Sequence, residues 1–435
     1  MTKQILFLIS LLITLGVFSW TAARVFSYFK LTKPFAVGDW GKRFMMMMKV
    51  AIGQTKIFRF PFSGFLHALV FWGFLVILVG SVEMVIDGLF GTDRALGVLG
   101  VVYDIITASG DVFALIIAIA ILIFLFRRIF LNVKRFSGIE MKHVSHYDAN
   151  IALTIIFLLM VSLLGMNTFY LLLPHDLHVG YFPVSEIAAS QFGGVENILF
   201  WHEFFWWLHI LLIFLFVNIL PYSKHFHVFM SVPNVFLSRL EPLGYLYNMP
   251  EITKEVKLMM DPDAAFADPP EGEEEVARFG VKDVEDITWK NYLDSLACTE
   301  CGRCTSVCPA NQTGKLLSPR KIIMNVRARM KEKGPGLVKE GKDFDDTKAL
   351  INNYITPEEL WACTTCNACA QECPININHP SIIVDLRRYL VMEESAAPGE
   401  LNATFTNIEN NGAPWQFSPE DRMLWAEGLE MNEVN

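Results

Sequence analysis

The stretches CTECGRCTSVCP at residues 298–309 and CTTCNACAQECP at residues 363–374 hold all eight cysteines of the chain. In order these are Cys298, Cys301, Cys304 and Cys308, then Cys363, Cys366, Cys369 and Cys373. Each set is spaced C-x2-C-x2-C-x3-C and runs directly into a proline, Pro309 or Pro374. That is the ligand pattern of [4Fe–4S] clusters. Three closely spaced thiolates can hold three corners of a cubane, while the fourth usually crosses to the neighbouring cluster. The spacing therefore predicts one cluster on Cys298, Cys301, Cys304 and Cys373, and a second on Cys363, Cys366, Cys369 and Cys308. Structural zinc, the plainer alternative, usually takes two C-x-x-C pairs without the third cysteine and proline. Disulfides fit less well, because thiolates committed to clusters imply a reducing compartment. This half of the chain is expected to face the cytoplasm.

Away from the cysteines the composition divides. Of 435 residues 53% are hydrophobic, with 35 Phe, too apolar and too long for one soluble domain. Apolar residues fill the first 230 positions, and charge and proline rise after Ser231. A net charge of -9 argues against nucleic acid as a partner. A membrane span needs about 20 mostly apolar residues, and five stretches qualify: roughly 4–29, 62–88, 107–130, 149–173 and 200–222. The first has a lysine ahead of it, as a signal peptide would. Its length and the four spans that follow predict an anchor instead.

The 24–60 and 127–148 connections are rich in Lys and Arg, whereas 89–106 has only Arg94 and 174–199 has neither. The positive-inside rule then predicts a multi-pass protein of the bacterial cytoplasmic membrane, N-terminus outside and everything after Tyr222 inside. The arginine pairs read simply as orientation signals. Residues 39–60 mix Met, Phe and Val with Lys and Arg; they suit an amphipathic helix in the lipid interface or a docking element for the soluble half.

Imidazole is the usual axial ligand of b-type haem, which draws attention to the histidines. His67 lies about one turn inside the inner end of span two, and His225 and His227 follow the inner end of span five. His209 lies in the outer half of that span, 18 residues before His227, or five whole turns if the helix is continuous. The two would then point the same way, ~27 Å apart. His67 with His227 predicts one haem b near the inner face. An outer haem would need a partner for His209, and span two offers only Ile77 and apolar neighbours at that depth. A second haem is left open, and a quinone contact at His209 is the other reading. A membrane histidine that merely hydrogen-bonds a neighbouring helix is the bland alternative for each.

The stretch Gly53-Gln54-Thr55-Lys56 to Pro61, Gly64, His67, Phe71, Gly73 and Phe74 resembles the second span of the gamma (haem b) subunit of respiratory nitrate reductase. His209 through Pro221 to His227 resembles that family's fifth span. The resemblance implies two haems with two histidines on span two; this chain has the inner one, His67, and lacks the outer one.

Between the halves, 231–290 reads as a linker, most acidic over Asp261 to Glu275. The 54 residues separating Cys308 from Cys363 exceed what a compact ferredoxin needs. Ser318-Pro319 predicts a helix over 318–332 ending near Gly334, and Thr356-Pro357-Glu358-Glu359 a capped helix start. A further helix is expected over 380–394. The fold class is thus mainly α: a five-helix transmembrane bundle (1–230), the linker, an all-helical two-cluster ferredoxin domain (291–395) and a tail (396–435). The cluster domain resembles the iron–sulfur subunits of heterodisulfide reductase and succinate dehydrogenase. Pro380 to Glu393 and Asn411-Gly412-Ala413-Pro414-Trp415 resemble heterodisulfide-reductase-related Fe–S oxidoreductases, in which a cysteine-rich catalytic domain normally follows.

Together these parts describe an electron path between a quinone such as menaquinone, itself dissolved in membrane lipid, and a cytoplasmic partner. There is no Gly-x-Gly-x-x-Gly loop and no Walker motif. Substrate chemistry is therefore expected on another subunit: cysteine-rich, flavin-linked, or an electron-transfer flavoprotein. Glu83, Asp87, Asp111 and Glu203 lie near outer ends of spans as candidate proton exits, though for any one of them an ordinary interface carboxylate is the favoured reading. A membrane-anchored Fe–S sensor or docking subunit is the alternative, and the intramembrane histidines speak against it. An ion-transporting subunit would be expected to carry mid-membrane charge pairs, and the span centres are nearly uncharged.

Overall fold

Apolar runs of this length can satisfy their backbone groups in lipid only as helices. In the computed structural model, which describes residues 1–174, 180–261, 278–341 and 344–429, they are helical. Five helices are long and apolar enough to span a bilayer among the described residues: Thr2–Leu31, Pro61–Phe90, Val101–Ile129, His143–Tyr170 and Ile198–Tyr222. Neighbours in sequence pack together from the second span to the fifth, and the first closes the ring against the second and fifth. Phe7 of the first span is fully buried between Trp206 and Phe214, ring centroids 5.7 and 5.8 Å away. No strand occurs among the described residues, only two isolated bridges, Lys33 with Thr288 and Ile351 with Ile355.

The chain folds into two compact units. One joins Met1–Leu246 to Asp283–Ile382; the other joins Tyr247–Lys282 to Ile383–Asn435. In the first, the cluster segment begins with the helix Trp289–Ala297, whose start is fixed by a capping box between Thr288 and Asn291. The capped start expected at Thr356 is present, with Glu359 returning its side chain to the Thr356 N–H at 3.0 Å. The second unit holds the helices Pro250–Met260 and Gly399–Asn411 and the end of His379–Met392, where Val281 N–H donates to the Asp385 carbonyl at 3.0 Å. The acidic run Asp261 to Glu275 lies, apart from Asp261, outside the described residues.

Two expectations need correction. The helix expected to stop near Gly334 runs from Pro319 to Glu340 with Pro335 inside it. Proline costs a helix one hydrogen bond, but packing outweighs that: a Cβ on Gly334 would meet the Tyr28 ring at 3.0 Å, so the helix is seated directly on the end of the first span. The continuous helix linking His209 to His227 does not form. Helix Ile198–Ile219 tightens into a 3-10 turn, and Ser223 is extended at φ -95°, ψ 156°. Pro221 removes a backbone donor there, and the Ser223 hydroxyl accepts the His225 N–H at 3.0 Å. A second helix then begins at His227.

Candidate cofactor sites

The repeated cysteine runs adopt a repeated backbone. Two residues after the first cysteine of each run, Glu300 and Thr365 are left-handed at φ 57° and 53°. Four residues after it, Gly302 and Asn367 are left-handed at φ 75° and 61°. Left-handed φ is unfavourable for Glu and worse for β-branched Thr. The same cost at the same place in both loops shows a geometry held for the cysteines. Short helices follow, Arg303–Ser306 and Ala368–Glu372, and the fourth cysteines, Cys308 and Cys373, are extended ahead of their prolines.

Charge interactions group the sulfurs across the runs. Cys304 is acted on by Cys301, Cys298 and Cys373 and, after these, by Cys369; Cys373 is acted on by Cys301 and Cys298; Cys369 is acted on by Cys363, Cys308 and Cys366. Cys298, Cys304, Cys308, Cys369 and Cys373 are buried, Cys301 and Cys363 half-buried, and Cys366 exposed. Burial pushes the thiols up, Cys298 to about 11 and Cys369 and Cys373 to about 12. Unloaded, these groups are neutral thiols, and only a positive metal centre repays their ionisation. Among the described residues no three His, Cys, Asp or Glu side chains converge closely enough for a single metal ion. Eight thiols in two repeated loops, with charge interactions across the loops, are the donor set that two cubanes take. The Thr365 N–H already points at Cys363 Sγ, 3.4 Å away.

Cations surround the first group, and sequence reading missed them. Arg327 donates to the Cys298 carbonyl at 3.1 Å and pairs with Glu300. Lys56 donates to the Cys373 carbonyl at 3.3 Å, and Arg59 to Gln371 and Glu372 at 2.8 and 3.0 Å. Buried Arg303 donates back to the carbonyls of Lys56 and Ile57 at 2.9 and 3.2 Å. The 39–60 segment, open between interface helix and docking element, thus docks the cluster domain, while Trp40 and Met45 on its helix stay exposed. Residues 134–141 do likewise: Arg320 meets Glu140 and the carbonyls of Arg135 and Ser137 at 2.7–2.9 Å. No local pattern distinguishes a basic residue that docks a domain from one that only marks topology.

The histidines fall into two places. His67, His225 and His227 act electrostatically on one another, and the rings of His225 and His227 are 5.8 Å apart. His227 Nδ1 donates to the Lys224 carbonyl at 3.2 Å, the contact that leaves Nε2 as a metal-binding lone pair. Burial, then His227 and Lys224, holds His225 down to about 3, so it is neutral. His67 Nδ1 is buried without a hydrogen-bond partner. Buried imidazoles with a free nitrogen fit axial ligation of haem.

His209 is apart from these, 2% exposed, with Nδ1 at 3.0 Å from the Leu159 carbonyl and 2.9 Å from Ser162 Oγ. It lines a cavity of about 220 Å3 whose wall includes Ile77, Glu83, Arg94 and Asp111. The carboxylates considered as proton exits have structural partners. Asp111 accepts the N–H groups of Val184 and Ser185 at 2.8 and 2.9 Å, and Asp87 those of Arg94 and Ala95 at 3.1 and 3.0 Å. Glu83 takes Leu96 N–H and Tyr103 Oη at 2.9 and 3.0 Å; Glu203 pairs with Lys3 at 2.6 Å.

Comparison with known proteins agrees with this architecture. Residues 294–377 match the 4Fe-4S dicluster domain. Over 419 residues, 88% of this chain and 54% of the relative, the sequence is 30% identical to the "Probable iron-sulfur-binding oxidoreductase FadF" of Bacillus subtilis. It is 28% identical over 417 residues to the "EtfAB:quinone oxidoreductase" of Syntrophomonas wolfei, covering 88% of this chain and 54% of that one. A "Probable membrane-anchored ferredoxin" of Chromohalobacter salexigens is 35% identical over 168 residues, 36% of this chain and 25% of the relative. Heterodisulfide reductase subunits are similar over about a quarter of the chain. The chain spans about half the length of the first two relatives. No solved structure matches. The chain thus joins five helices long and apolar enough to span a membrane, among the described residues, to a segment that matches the 4Fe-4S dicluster domain.

Proposed function

We propose that the chain is the electron-transfer subunit of a quinone-linked oxidoreductase, connecting a quinone or quinol in the bilayer to a cytoplasmic redox partner through one haem b and two [4Fe–4S] clusters. The observation that carries the reading is the gathering, within one compact unit, of the eight cysteines and of His67, His225 and His227, which act electrostatically on one another. The names of the two long relatives support iron–sulfur and quinone chemistry and an electron-transfer-flavoprotein-type or flavin-linked partner.

When bound, the clusters and haem would supply the single-electron steps into which a quinol's two electrons must be divided. In this proposal Cys298, Cys301, Cys304 and Cys373 hold one cluster, and Cys363, Cys366, Cys369 and Cys308 the other. His67 and His227 hold the haem, with the Lys224 carbonyl fixing the His227 tautomer. Ile77 shares the cavity with His209, which leaves His209 to meet a quinone ring. The N-terminus is placed outside, the clusters in the cytoplasm, and substrate chemistry on a partner subunit. Residues 1–230 would act as the quinone and haem domain and 291–395 as the cluster domain.

A redox difference spectrum of the purified protein, with haem and iron quantified per chain, tests this. One haem b with about eight irons is expected, and His67→Leu should abolish the haem signal with the iron unchanged. Iron without haem would overturn the quinone-linked path in favour of a membrane-anchored cluster protein. Two haems would make His209 a ligand.

A further inference from the structure

The two cysteine groups sit in unequal electrostatic surroundings, and one arginine near them is unexplained by folding. Arg135 lies in the connection between the third and fourth spans. Its carbonyl does the docking, accepting Arg320 Nη1 at 2.7 Å. It also lies so close over Gly302 that a Cβ there would come within 2.3 Å of it. Its guanidinium does something else. Nε and Nη1 are buried and make no hydrogen bond, a costly arrangement for a cation. The group is held over the rings of Phe60 and Phe136, 5.1 and 5.3 Å away, and its charge acts on Cys301.

Arg303 lies over the same Phe60 ring at 4.5 Å, and Lys56 and Arg327 donate to the carbonyls of Cys373 and Cys298. Two carboxylates oppose them. Glu300 is shared between Arg327 and Lys224, and Glu372 between Arg59 and Arg303. Arg135 and Lys56 are left over as positive charge. Around the other group the loop residues Thr364, Thr365, Asn367 and Ala368 are uncharged, and the charges that act most on Cys369 are those of Cys363, Cys308 and Cys366.

We propose that Arg135 directs its two buried nitrogens, Nε and Nη1, at the cluster held by Cys298, Cys301, Cys304 and Cys373, and sets that cluster's reduction potential above that of its neighbour. The proposal rests on the two-cluster reading. Reduction adds one electron, and a cation or N–H donor in a low-dielectric surround stabilises the added charge. Exposure of Cys366 to water acts in the opposite sense on the second cluster, through solvation of its reduced form. The two cations left over, Arg135 and Lys56, outweigh one solvated edge. Membrane-side electrons then collect on the arginine-ringed cluster, while the cluster with the exposed Cys366 is the one a soluble partner can approach.

The test is potentiometric EPR on the full chain, wild type against Arg135→Gln and Arg135→Lys, after iron per chain has been counted. Fewer than about eight irons in the wild type would end the two-cluster reading itself. With the irons present, Arg135→Gln should lower the higher of the two midpoint potentials and leave the lower one in place. Arg135→Lys should recover most of the shift. No shift in either midpoint, or a shift only in the lower one, overturns the proposal. Should the Gln variant lose iron, the Lys variant decides: a higher midpoint near the wild-type value supports the proposal, and one that falls without its charge being lost overturns it.

Discussion

Cys308 is two residues past the helix turn that carries Cys304, yet its charge falls on Cys369 of the other run. Replacing it makes a sharp residue-scale prediction. Cys308→Ser should damage the cluster held mainly by Cys363, Cys366 and Cys369 and spare the other, read as the loss of one of two EPR signals. Loss of the first cluster alone would refute the crossover. The left-handed Glu300 and Thr365 show why such a pairing requires the loop: a relaxed backbone at these positions would turn the neighbouring cysteines away from a common centre. The eight candidate ligands are legible in composition and spacing alone, because C-x2-C-x2-C-x3-C-P is a local code. The strained residues carry no such code.

Among elements, the helix Pro319–Glu340 is held to the start of the cluster domain by charge. Arg329, fully buried, donates to both Asp283 oxygens at 2.6–3.1 Å, to Asp346 at 2.6 and 2.7 Å, and to the Lys348 carbonyl at 2.6 Å. Lys333 reaches Asp283 at 3.0 Å as well. Breaking a buried network by removing one partner costs about 3–5 kcal/mol, and Lys333 remains to shelter Asp283. Arg329→Leu is therefore expected to destabilise the cluster domain by about 3 kcal/mol, seen as earlier loss of cluster absorbance in a denaturant titration. An unchanged midpoint would mean the network is ornamental. The start of this helix was legible in Ser318-Pro319, since caps are local. Its passage through Pro335 was not, because that depends on Gly334 meeting Tyr28 of a distant span.

At the scale of the whole molecule, two connections between spans become the seat of the cluster segment within one compact unit. Glu140 is the hinge of one of them, accepting Arg320 Nε at 2.8 Å and Ser318 Oγ at 2.7 Å. Glu140→Gln leaves the Arg320 cation buried with a weaker partner. Faster hydrogen exchange over 133–141 and the 318–321 helix start is expected, with iron content retained; unchanged protection would show that the carbonyls of Arg135 and Ser137 suffice.

Length, apolar runs and cysteine spacing determined five helices apolar enough to span a membrane, a helical plan and two sets of candidate cluster ligands, because lipid and metal each impose rules that neighbouring residues satisfy on their own. The break after Pro221, the docking of residues 39–60, the structural partners of Asp87 and Asp111, and the orphaned Arg135 guanidinium were decided only by tertiary structure. Each depends on groups far apart in the chain whose burial is affordable only when a partner from elsewhere satisfies, or is meant to satisfy, their charge.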